Sequence, residues 1–69
     1  MIPAENDPRW SRVLTSESDL SAASLATRIL ISRLRREVKS APGTIGAKIA
    51  ELRDFVSKNS FAVADMARF

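Results

Sequence analysis

From Ser16 to Ser40 the sequence contains neither proline nor glycine, and Ala41-Pro42-Gly43 then closes the run. Proline and glycine are the strongest local punctuation of a chain, so a long stretch free of both and ended by both constrains the fold more than any other feature. Ser16-Glu17-Ser18-Asp19 fits the capping box, in which a serine oxygen and an acid three residues later satisfy backbone N–H groups at a helix start. This pattern predicts a long helix over residues 17–40. Set at about 100° per residue, its side chains sort into three faces. Leu20, Ala23, Thr27, Leu30, Ile31, Leu34, Val38 and Ala41 make the main apolar stripe. Ser21, Ser24, Arg28, Ser32, Arg35 and Lys39 make a polar strip. The third face changes character, with Ala22, Leu25 and Ile29 in its first half and Arg33 and Arg36 in its second. The first half of the helix is therefore apolar on two sides, more than one neighbouring helix can cover.

The segments on either side are also helical in pattern. Asp7-Pro8 joins an acidic N-cap to a proline at the first helical position, where the missing N–H costs nothing. A short helix over 8–14 follows, with Trp10, Val13 and Leu14 on one side, behind a flexible lead-in over 1–7. Past Pro42-Gly43, Thr44 reads as an N-cap, and Ile45, Ile49, Leu52, Phe55 and Val56 recur at helical spacing over 45–58. Asp54 and Lys58 form a favourable i,i+4 pair on the opposite side. Asn59 reads as a C-cap, Ser60 as a new N-cap, and 61–69 as the beginning of a fourth helical segment that either docks onto the core or continues into a longer chain.

Sixty-nine residues are enough for one domain, with a thin margin of stability. A chain that is 45% hydrophobic is too apolar to read as disordered. Without cysteine no disulfide can staple it, and without histidine or cysteine ordinary zinc chemistry is ruled out. Self-association is the remaining common way to bury more surface, so a homodimer is expected. The first residues carry acids and no basic region of the kind that opens a signal peptide, and no run is long and apolar enough for a membrane span; a cytoplasmic protein is the expectation.

The residues that carry chemistry are scarce. Histidine, cysteine and tyrosine are absent, so the usual proton-transfer groups and nucleophiles are missing, and no pair of carboxylates sits in an apolar setting. Gly43-Thr44-Ile45-Gly46-Ala47-Lys48 has two glycines and a lysine but lacks the GK[ST] ending and the preceding strand of a phosphate loop. The chain reads as a non-enzyme with no cofactor and no metal. A helix-turn-helix reader over 44–69 is disfavoured, because its second helix offers Ala, Val and Met with one arginine to base edges.

Two surfaces remain as candidates for binding. The net charge is only +3, yet residues 28–39 alone carry Arg28, Arg33, Arg35, Arg36 and Lys39 against Glu37. That cluster suits an anionic partner, or else is a solvated face whose cations complement the helix dipole. Leu25 and Ile29, with Trp10 as the single tryptophan, are candidate apolar anchors; tryptophan and arginine are enriched at binding hot spots. The bland alternative is that Trp10, Val13 and Leu14 cover the second apolar patch. The expected fold is all-α: a small dimeric bundle built on an antiparallel helical hairpin, 17–40 against 45–58, with short flanking helices. The expected function is that of a small regulatory or adaptor protein that binds and modulates another protein. A nucleic-acid-binding regulator using the same basic strip is the alternative, and a structural subunit of a larger assembly is a third.

Overall fold

The computed structural model describes residues 4–15, 20–21 and 23–58. Among them the protein is all-helical and has no strand. The elements are α1 (Pro8–Thr15), α2 (Leu25–Ser40), a 3-10 turn (Pro42–Thr44) and α3 (Ile45–Lys58). The capping box at 16–19, Ala22, the caps expected at Asn59 and Ser60, and the fourth helical segment expected over 61–69 lie outside the described residues.

Helix α1 starts as its sequence predicts. The Asp7 carboxylate accepts a hydrogen bond from the Arg9 backbone N–H at 2.9 Å, with Pro8 between them as the first helical residue. The Arg9 guanidinium also grips that carboxylate, through Nε at 3.0 Å and Nη2 at 2.9 Å. These bonds from Arg9 hold the Asp7 carboxyl down at about 2 and raise the Arg9 guanidinium above its ordinary value. Residues ahead of the helix fold back on it. The Asp7 N–H donates to the Ala4 carbonyl at 2.9 Å, and the Trp10 indole Nε1–H donates to the same carbonyl at 3.0 Å. A buried indole needs such a partner, and this turn supplies it.

Helix α2 is shorter than the 17–40 expected for it. Residues 20, 21, 23 and 24 are not helical, and Ser24 is the N-cap, with extended backbone at φ −64° and ψ 159°. Its Oγ accepts from the Thr27 N–H at 3.2 Å and shares a 2.9 Å hydrogen bond with the Thr27 hydroxyl. Serine competes with the helix for its own neighbouring backbone groups, and that local bond wins at Ser24. At the other end, Ala41 precedes Pro42, which pushes it out of the helical region to φ −140° and ψ 79°. Thr44 does not act as the N-cap expected of it. It lies in the 3-10 turn, where its hydroxyl donates to the Ala41 carbonyl at 2.7 Å and its N–H donates to the same oxygen at 3.0 Å.

The core is a three-way junction. Trp10, Val13 and Leu14 of α1 meet Ile31, Leu34 and Val38 of α2 and Leu52 and Val56 of α3, all buried, with Leu20, Leu30, Ile45 and Ile49 packed at the margin. Thr27 is the buried polar residue among those described, and Ser24 satisfies it. Burying each large side chain contributes roughly 1.5–3 kcal/mol, so α1 supplies a substantial share of the core despite its eight residues.

Candidate docking surface on helix α2

Seen down α2, the side chains of Thr27, Ile31, Leu34 and Val38 point to the core, and the opposite side carries Leu25, Arg28, Ile29, Ser32 and Arg36. Leu25 is 64% exposed and Ile29 is 61% exposed. They are the exposed large hydrophobic residues among those described. Together with Arg28, Ser32, Arg33 and Arg36 they line an open, shallow depression of about 450 Å³. The face is graded along its length. Leu25 and Ile29, flanked by Arg28, stand at its beginning, Ser32 marks the middle, and Arg36 and Lys39 make its end cationic.

The three apolar anchors read from sequence therefore separate. Trp10 is fully buried and is unavailable as a surface anchor. Its ring, with Val13 and Leu14, seals the main stripe of α2 and not the patch at Leu25 and Ile29. Packing α1 and α3 together against one side of α2 uses up the core-facing side, and Leu25 and Ile29 lie on the far side of the helix.

The five cations separate as well. Arg33 is held within the fold: it pairs with Glu37 at 3.1 Å and with Glu51 of α3. The hydrogen bonds it donates, to Glu51 first and then to Glu37, raise its guanidinium above the ordinary value. Glu37 also pairs with Lys48 at 2.9 Å, and Lys48, followed by Arg33, lowers its carboxyl. Arg35 is half-buried, and its Nε donates to the Val13 carbonyl at 2.7 Å. Val13 lies in the last turn of α1, where carbonyls have no partner within the helix, so Arg35 caps α1 from across the bundle. Nothing in the spacing of two residues 22 apart signals that contact. Arg33 and Arg35 thus serve the fold, although Arg33 still borders the depression. Arg28, Arg36 and Lys39 are exposed and pair with no carboxylate among the described residues.

Among the described residues no three acidic side chains gather where they could share a metal ion, and no helix is long and apolar enough to cross a membrane. No protein-family model, curated protein or solved structure matches this chain.

Proposed function

We propose that this chain is a small, non-enzymatic regulatory or adaptor protein that binds a partner protein through the outer face of α2. The observation that carries the reading is the exposure of Leu25 and Ile29 one helical turn apart, beside cations that the fold leaves unpaired among the described residues. Covering each side chain would stabilise a complex by up to roughly 1.5–3 kcal/mol before the costs of association. The same reading takes α2 and α3 as an antiparallel hairpin. Glu37 pairs with Lys48 and Arg33 with Glu51, so earlier residues of α2 meet later residues of α3. The homodimer expected from the chain's length is a separate reading with its seam at the same exposed Leu25 and Ile29, and the solution mass by light scattering tests it.

A photo-crosslinking residue at position 29, with a control at exposed Ala50 on α3, tests this in the source cells. The expected result is a discrete protein adduct from position 29 that Leu25→Asp removes and position 50 does not form. Adducts of equal yield from both positions would sink the proposal. The nucleic-acid reading retains one specific support, the exposed cations Arg28, Arg36 and Lys39, which pair with no carboxylate among the described residues. Three phosphate contacts imply a salt slope of about −2.7, since each contact contributes roughly −0.9 on duplex DNA. A slope near that value at moderate affinity would move the second reading ahead.

A further inference from the structure

We infer that the partner segment is an acidic amphipathic helix of another protein, lying along α2 with its apolar end on Leu25 and Ile29 and its carboxylates on Arg36 and Lys39. This deepens the proposed function and rests on it. Leu25, Ile29, Ser32, Arg36 and Lys39 follow one another on one side of the helix, with Arg28 on the flank. The stripe is about 21 Å long at 1.5 Å per residue, so a partner of about 15 helical residues spans it. The depression is shallow and open, a form that takes a rod laid along it and not a small molecule enclosed by it.

Charge selects the occupant. Among the described residues, the carboxylates nearest this face, Glu37 and Glu51, are taken up by Arg33 and Lys48. Among the described residues, the C-terminal half of the stripe is therefore cationic with no carboxylate set against Arg36 and Lys39. A basic or neutral helix would leave Arg36 and Lys39 facing cations or unpaired, and like charges across an interface are penalised. A second copy of this chain fails the same test. Pairing the stripe with itself in parallel sets Arg36 on Arg36 and Lys39 on Lys39, and antiparallel pairing about Ser32 sets Arg28 on Arg36 and Leu25 on Lys39. A contact confined to Leu25 and Ile29 would cover far less than the roughly 800 Å² per partner of a stable interface. Nucleic acid meets the charge but leaves the apolar half without a partner.

The test is a selection with the full chain as bait. A displayed library of helical peptides of about 15 residues carries leucine at i and i+4, with the following two turns randomised over Glu, Lys, Gln and Ser. The expected result is enrichment of Glu in those turns. Enrichment should switch to Lys against Arg36→Glu/Lys39→Glu, a variant checked for unchanged circular dichroism, and the Glu-rich peptide should bind that variant on the order of tenfold more weakly by anisotropy. Enrichment without charge preference, yet dependent on Ile29, would overturn the acidic partner and leave the docking face standing. Recovery of no peptide, or of peptides indifferent to Ile29→Asp, would overturn both. Tighter binding of a duplex DNA probe than of any recovered peptide would assign the cations to phosphate instead.

Discussion

Ile31 and Ile29 sit two residues apart on the same helix, yet Ile31 is sealed between α1 and α3 while Ile29 is 61% exposed. The same contrast divides the arginines: Arg35 reaches across to a carbonyl of α1, and Arg36, next to it, is exposed and pairs with no carboxylate among the described residues. Residue type does not decide either case. Angular position on α2 does, because α1 and α3 both pack on one side and, among the described residues, the other side is left exposed. One face of this helix makes the fold, and the other is free to make something else.

The contrast can be broken most forcefully from the core side. Leu34→Ala should cost about 2–5 kcal/mol, and Trp10→Ala about 3–5, because each leaves a cavity among residues with no exposure. A chain this short holds only about 3–5 kcal/mol in all, so either variant should lose its cooperative urea transition. A normal transition in Leu34→Ala would mean that α2 does not pack as described.

Smaller effects come from the ends of the helices. Ser24→Ala removes the N-cap of α2 and the partner of buried Thr27, and should cost about 1 kcal/mol by chemical denaturation. Arg35→Met should cost about 1 kcal/mol or less. The lost bond to Val13 is partly offset, because the Arg35 Nη2 is buried without a hydrogen-bond partner among the described residues and the substitution removes that atom too. In the opposite direction, Gly46→Ala should stabilise by about 0.4–1 kcal/mol. A methyl group there meets nothing within 4 Å, and Ala restricts the unfolded chain. A destabilised Gly46→Ala would show that the start of α3 is more crowded than described.

The smallest expected effect is electrostatic. Asp7 titrates at about 2 in the folded chain against an ordinary 3.8, so its contribution to α1 is complete above 3.8 and fades as pH falls toward 2. NMR of the Asp7 carboxyl should give a midpoint near 2, moving toward 3.8 in Arg9→Gln; an unmoved midpoint would remove Arg9 as the cause. Glu37 should likewise titrate below its ordinary value, and Lys48→Gln should raise it.

Much of the interior was legible from periodicity. Ile31, Leu34 and Val38 share a face at helical spacing, as do Leu52 and Val56, and these are the residues that bury. The Asp7-Pro8 start of α1 and the break at Ala41-Pro42 were equally plain, since both depend on local backbone chemistry alone. The start of α2 was less legible. Ser24 caps through a threonine three residues on and not through an acid, while the serine-acid pattern at 16–19 lies outside the described residues. Of the site, Leu25 and Ile29 could be picked out because one helix cannot cover two apolar sides of another. Which arginines were tied into the assembled fold could not, because Glu51, the partner of Arg33 on α3, and Val13, the partner of Arg35 on α1, lie 18 and 22 residues away and depend on how three helices assemble.

The division of α2 into a folding face and a binding face is tested most directly by Leu25→Gln/Ile29→Gln, read twice. Urea unfolding of this double variant should stay cooperative, with stability within about 0.5 kcal/mol per site of the parent. Binding of the selected acidic helix should be lost in the same sample. A variant that unfolds would place Leu25 and Ile29 in the fold, and a variant that still binds would place the docking surface elsewhere.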